Sequence, residues 1–467
     1  MKKILSTIIM IISISFSTKA FTNVSGGIYA DITWTLANSP YIVVDNVVVF
    51  PGITLTIEPG VLVKFEDTKY LEIRQGTLIA NGTVVDTITF TSNSLTPTPG
   101  IWGSTTNGGI WLNNAVASTS FNFITIIYAT IGIYNAGNIH IKNSLFNNNL
   151  SGLSSIYGTQ IDSCIFRLNS AGIGNSNGVI YNFCTISNNT NGIATLTGGS
   201  LLNCIIDSNQ TGLGNSDGPK IHHCTISYNQ TGMACDPCCG GAMIVQNCVV
   251  DSNSTVGLSI NGNGLADSVM DNEIKFNGIG LVSATCPGNG GHSQFTRNII
   301  ENNTIGIQVG GCSDIYCNSF CNNTSYDLQN RLSTTISVPN NYWCTTDSAA
   351  IELLIYDGHD NSSYGLVNFM PLDITQCYLT TGILTDKTQS LSFNIFPNPA
   401  SNEVTVELPS NNFRGGVKIF NVFGELTYSS ILTKQKINVD ISSWRKGAYI
   451  IQISNGEIIS RRKLIIL

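Results

Sequence analysis

Only 11% of the 467 residues are charged, 45 are glycine and the formal net charge is −7. A chain of this kind offers no basic surface to a nucleic acid, and so much Gly, Asn, Ser and Thr excludes helical repeat units. Residues 21–390 hold 10 Lys and Arg against 24 Asp and Glu, a net of −14, whereas residues 391–467 hold 9 against 5, a net of +4, which marks a separate C-terminal domain.

Met1-Lys2-Lys3 and the apolar run of residues 4–16 read as an export signal over residues 1–20, with Thr18-Lys19-Ala20 supplying a cleavage site. The run is too short for a membrane span and no other stretch approaches one, so no transmembrane segment is expected in the mature chain. Between residues 41 and 91 apolar positions alternate (Val47/Val49, Ile53/Leu55/Ile57, Val61/Val63/Phe65, Leu71/Ile73), punctuated by Pro51-Gly52 and Pro59-Gly60. Alternation between turn signals predicts short strands.

From Phe121 a twenty-residue repeat runs without a gap to Lys220. Its first column is Phe121, Ile141, Ile161, Tyr181, Leu201, Ile221; its fourth ends in Cys164, Cys184, Cys204, Cys224; its sixth is Ile126, Phe146, Phe166, Ile186, Ile206, Ile226. Asn149, Asn169, Asn189, Asn209 and Asn229 form the ninth, and Gly132, Gly152, Gly172, Gly192, Gly212 and Gly232 the twelfth. A fixed period of this length means a solenoid, and period-two alternation within each unit makes its elements strands. Like residues then stack about 4.8 Å apart, with Asn bridging its amide to the next coil and Gly placed where a side chain would clash. The columns persist with insertions to Gly257, Gly280 and Gly306. The longest insertions, residues 235–243 and 283–293, are expected to cluster on one side.

Two resemblances follow. Ser39-Pro40-Tyr41-Ile42-Val43, Gly52-Ile53-Thr54-Leu55-Thr56-Ile57-Glu58-Pro59-Gly60-Val61 and Gly76-Thr77-Leu78-Ile79-Ala80-Asn81-Gly82-Thr83 resemble the opening of secreted right-handed parallel β-helix proteins. Asn340-Asn341-Tyr342-Trp343-Cys344, Ile355-Tyr356-Asp357-Gly358 and Gly365-Leu366-Val367-Asn368-Phe369-Met370-Pro371 resemble their end, except that Cys344 stands where the family often has Gly. The resemblance implies an all-β right-handed parallel β-helix with capping segments over residues 21–377, followed by a linker at 378–390. In the tail, Phe396-Pro397-Asn398-Pro399, Val417-Lys418-Ile419-Phe420-Asn421-Val422-Phe423-Gly424, Lys446-Gly447-Ala448-Tyr449 and Arg461-Arg462-Lys463 resemble the type A C-terminal sorting domain of the type IX secretion system. That resemblance implies a small antiparallel β-sandwich over residues 391–467, a partner in the secretion machinery, and a destination outside the cell or anchored at its surface.

Candidate chemistry is sparse. The Cys column, with Cys248, has the parity of the core and reads as buried thiols, since parallel Cβ vectors do not favour disulfides although export permits oxidation. Cys235, Cys238, Cys239, Cys286, Cys312, Cys317, Cys321, Cys344 and Cys377 are disulfide candidates, with Cys286–Cys312 one reasonable pair and the last four able to staple the C-terminal end. Zinc held by Cys235, Cys238 and Cys239 with His222 or His223 is the other reading, but the spacing matches no zinc pattern; no metal or cofactor is expected. Asp357-Gly358-His359-Asp360-Asn361 lacks the terminal Glu of a calcium loop and reads as a turn. The outward seventh column (Arg167, Ser187, Asp207, Ser227, Asp251, Lys275, Glu301) supplies the catalytic candidates Asp207, Asp251, Lys275 and Glu301, while Trp102, Trp111 and Tyr228 are candidates for sugar stacking. Asp207 and Asp251 fall roughly 10 Å apart, slightly beyond a glycosidase carboxylate pair. The leading expectation is an exported, non-catalytic β-helix that binds extracellular polysaccharide or a surface glycan, or mediates adhesion, through the loops after Gly232, Gly257, Gly280 and Gly306. The alternatives are a polysaccharide lyase or glycoside hydrolase, and a purely structural surface protein.

Overall fold

A computed structural model describes residues 21–135, 137–234, 241–260, 267–283, 292–377, 393–408, 415–421, 426–432, 435–454 and 459–466. The export signal expected at residues 1–20 and the linker at 378–390 lie outside these residues. The chain divides into two compact units, residues 1–377 and 378–467.

The first unit is a parallel β-helix. One coil of the regular region contributes three strands: Gln160–Asp162 on a first face, Ile165–Arg167 on a second and Ala171–Asn177 on a third. First-face strands stack into a 13-stranded sheet, and the other two faces belong to a 28-stranded one. The register is the twenty-residue repeat itself: Ile161 pairs with Tyr181, Tyr181 with Leu201 and Leu201 with Ile221, all parallel. The sixth column pairs likewise from Phe146 through Phe166, Ile186 and Ile206 to Ile226. Every member of these columns is buried, and the Phe146 and Phe166 rings stack at 4.8 Å.

Inside the coil, polar columns hold the turns. Asn149, Asn169, Asn189, Asn209, Asn229, Asn253, Asn277, Asn303 and Asn323 form one continuous buried ladder. From Asn169 onward each Oδ1 accepts both the backbone N–H and the side-chain amide of the Asn before it, as Asn229 does from Asn209 at 2.9 and 3.0 Å, while that of Asn149 accepts the Ala129 N–H. Each Nδ2 also donates to a carbonyl of the preceding coil, as Asn229 does to Ile206 at 3.0 Å. The fourth column is buried as well: the thiols of Cys164, Cys184, Cys204, Cys224 and Cys248 donate to carbonyls of their own and the preceding coil. From Asn272 the same column changes to Asn272, Asn298, Asn318 and Asn341, a second amide ladder that starts by accepting the Cys248 N–H.

The glycine column is a close approach of backbone to backbone. A Cβ on Gly212 would sit 2.5 Å from the Gly232 carbonyl oxygen, and one on Gly232 2.4 Å from that of Gly257. Backbone cannot swing aside as a flexible side chain can. Gly212→Ala is therefore expected to cost about 1–3 kcal/mol, the usual range for overpacking, read as a lowered urea midpoint; Gly178→Ala, where nothing lies within 4 Å, should show only the smaller strain of its φ of +63°.

At the C-terminal end, Cys317–Cys377 and Cys321–Cys344 are disulfides, and the short helix Ser348–Glu352 is capped by the Asp347 carboxylate. Cys344 adopts a φ of 55°, so the residue standing where the resembled family has Gly takes the left-handed turn and is tethered there. The second unit has two antiparallel sheets: Asn394–Phe396, Glu403–Glu407 and Lys436–Asp440 in one, and Leu426–Leu432, Gly415–Asn421, Gly447–Ser454 and Ile459–Ile466 in the other. Val404, Val406, Val417, Ile419, Val439, Ile451, Ile453 and Leu464 fill its core.

Candidate functional site: the outer column and its rim

The outward column of the second face is in strict register, Arg167–Ser187–Asp207–Ser227–Asp251–Lys275–Glu301. Its cation is paired within the column and beside it. Lys275 Nζ lies 2.9 Å from Glu301 Oε1 and 3.2 Å from Glu273 Oε2. Burial opposes its charge, but the bonds from Glu301 and Glu273 outweigh that and hold its pKa above the ordinary lysine value, so it stays an ammonium ion. Arg297 is closed on Asp271 through two bonds of 2.7 and 2.8 Å at the corner between the first and second faces. Asp207 and Asp251 stand two coils apart, each with a serine hydroxyl of the next residue. Burial raises the Asp207 pKa against the Ser208 bond.

Beside this column runs a corner whose backbone is left-handed in every coil: Asn148, Leu168, Asn188, Ser208, Tyr228, Ser252, Phe276, Asn302 and Asn322 all have φ between 54° and 58°. Asn and Ser suit this conformation, since their short polar side chains bond locally; bulky side chains do not. Tyr128, Leu168, Tyr228 and Phe276 nevertheless occupy it, and of the aromatic members Tyr228 and Phe276 are 66% and 59% exposed. With Ser252 between them the two rings stand two coils apart, roughly 10 Å, on one rim. Beyond the rim the third face is a floor of small residues, Gly174, Ala194, Gly214, Ala234 and Ser259 in stacked coils, bounded by Val282 in the coil of Phe276. At its far side the chain leaves after Thr231–Met233, Val256–Ile260 and Ile279–Ser283, three strands stacked on one another. The roots of the insertions thus lie along one edge in successive coils, while residues 235–240, 261–266 and 284–291 are outside the described residues.

The other candidates fall elsewhere. Trp102 is a correction: it is fully buried, stacked on Phe65 at 4.1 Å with its indole N–H on the Ile127 carbonyl at 2.7 Å, so it offers no face to a sugar. Trp111 is half-buried on the third face, between Glu72 and Tyr134. Cys235, Cys238, Cys239 and Cys286 lie outside the described residues; Cys312 is half-buried. The Asp357 segment is a turn: the buried Asp357 carboxylate accepts the His359 and Val367 N–H groups at 2.8 and 2.7 Å. Phe276 escaped the sequence reading because its column mixes Asn, Ser, Leu and aromatics, united only by backbone conformation.

Residues 394–467 match the family described as a secretion system C-terminal sorting domain. This is a parallel β-helix protein that carries a type IX sorting domain. The protein is therefore a substrate of type IX secretion, delivered to the cell surface or released. Residues 26–122 match the pectate-lyase like beta helix domain family. Among solved structures, the β-helix protein is similar to pectate lyase Pel9A (14% identity, 59% of this chain and 72% of that chain, TM-score 0.33) and to alginate lyase from Paenibacillus sp. str. FPU-7 (15%, 69% and 93%, TM-score 0.27). A curated relative, Protein bark beetle of Drosophila melanogaster, is 41% identical over 81 residues, which is 17% of this chain and 3% of that protein's length. No helix among the described residues is long and apolar enough to cross a membrane.

Proposed function

We propose that this exported β-helix is a non-catalytic glycan-binding protein, and that its contact surface is the third-face floor between the Tyr228–Phe276 rim and the roots of the insertions. The observation that carries this reading is the placement of two exposed aromatic rings at a left-handed position where neighbouring coils use Asn and Ser. Left-handed backbone costs a bulky residue about 1–2 kcal/mol, and rings this exposed return little packing energy. A local conflict with no structural return belongs at a functional surface. Flat aromatic faces stack on sugar rings, the half-buried Asp251 and Ser252 alongside supply partners for sugar hydroxyls, and the floor of Gly, Ala and Ser lets an extended chain lie close. The pairing of Lys275 with two carboxylates and of Arg297 with Asp271 favours binding over acid–base chemistry.

The test is a double variant, Tyr228→Asn with Phe276→Asn, which installs the residue that Asn188 and Asn302 already place at this corner. Affinity for polysaccharides retained by the wild-type chain should fall roughly tenfold or more, while the melting temperature holds or rises. Unchanged affinity would remove the rim from the site. Release of unsaturated or reducing products by the wild-type chain, abolished by Asp251→Asn, would replace the binding reading with a lyase or hydrolase.

A further inference from the structure

At the C-terminal end of the third face Arg331 is presented differently from Arg74 and Arg297. Arg74 and Arg297 are closed on carboxylates at 2.7 Å. Arg331 is exposed, and among the described residues it has no carboxylate within ion-pair distance. Its guanidinium carbon lies 5.5 Å from the ring centres of both Tyr356 and Tyr364. One Nη donates to the Tyr364 hydroxyl oxygen at 2.9 Å and the other to Gln329 Oε1 at 3.2 Å. Gln329 is buried and pairs with Tyr356, and Tyr326 adds a third half-buried ring 5.2 Å from that of Tyr356.

We propose that this cluster binds a sugar ring bearing an oxyanion, a carboxylate or a sulfate. A guanidinium has five N–H donors in a planar fork, and these two bonds leave most of the fork for a bidentate oxyanion. The tyrosine rings hold the fork in one orientation by cation–π contact, so little side-chain freedom is lost on binding, and they offer faces for the sugar ring. Residues 21–390 carry a net −14, which repels a polyanion laid along the solenoid. The site therefore takes a single acidic sugar, at a chain end or a sparse substituent. It is separate from the Tyr228–Phe276 rim and does not rest on it.

The experiment titrates the full chain at low salt with galacturonic acid, a singly sulfated disaccharide and cellotetraose, reading heat and tyrosine fluorescence. At least one acidic sugar should bind roughly tenfold tighter than the neutral tetramer or better; which one does so distinguishes carboxylate from sulfate. Arg331→Gln should erase the preference, Arg331→Lys should keep part of it because charge remains without the fork, and the rim double variant should leave it intact. Equal affinity for all three sugars, or a preference that survives in both Arg331 variants, overturns the proposal. Arg331→Lys keeps the charge, so it remains informative if the glutamine variant folds poorly.

Discussion

Asn229→Ala is expected to lower the unfolding free energy by about 3–5 kcal/mol, as much as truncating a large buried side chain of the regular coils. The Asn229 Oδ1 accepts two donors, the Asn209 backbone N–H and its side-chain amide. Its Nδ2 donates to the Ile206 and Ser227 carbonyls and to Asn253 Oδ1, all at 3.0 Å. The site is 1% exposed, so water cannot replace what is lost, and each orphaned buried polar group costs about 1–3 kcal/mol. Mid-ladder position adds to this, because the bonds on either side polarise one another. Asn188→Ala is the control: an exposed Asn in the neighbouring left-handed corner that serves backbone conformation alone. Chemical denaturation should separate the two by at least about 2 kcal/mol; equal losses would mean that the ladder is a geometric accident of stacking rather than a source of stability.

The contrast between these two asparagines shows what sequence can and cannot disclose. The Asn229 column repeats one residue type at one spacing, so its bridging role was legible, as were the glycine clash and the inward thiols. The second ladder, Asn272 to Asn341, was not recognised, although it continues the Cys column at the same two-residue offset from Ile274, Ile300, Phe320 and Trp343. A change of residue type hid a constant role, donation to a turn carbonyl. Tyr228 was legible as a candidate but Phe276 was not, because what unites them is a backbone dihedral. Trp102 misled for the opposite reason: it lies before the regular repeat begins, where no column assigns it a side, and the fold turns it inward. Arg331 gave no signal at all, since its setting depends on Tyr356 and Tyr364, residues brought to it by the closing segment.

The end of the first ladder yields the second large effect. Asn323 is its last amide, and with no further Asn to receive it, its Nδ2 donates at 2.7 Å to Oδ1 of Asp327. Asp327 stands opposite Gly306 in the glycine column, 1% exposed, and its Oδ2 has no hydrogen-bond partner. Burial pushes its pKa up to about 6, against the bonds from Asn323. The folded state therefore holds the proton more tightly than the unfolded chain does, where aspartate titrates near 4. Below about pH 4 both states are protonated and the native fold keeps its full stability. As the pH rises from about 4 to about 6 the unfolded chain ionises freely while the native carboxyl resists, and about 3 kcal/mol of stability is lost; above that the loss is constant. Asp327→Asn keeps an acceptor for Asn323 and removes the buried charge. At pH 8 the variant should be more stable than wild type by about 2–3 kcal/mol, with the difference shrinking towards zero by pH 4. Melting curves of both proteins across that range are the measurement. A difference that does not vary with pH would show that Asp327 is not the group that titrates, and a destabilised variant at pH 8 would show that the carboxylate, charge included, is what closes the ladder.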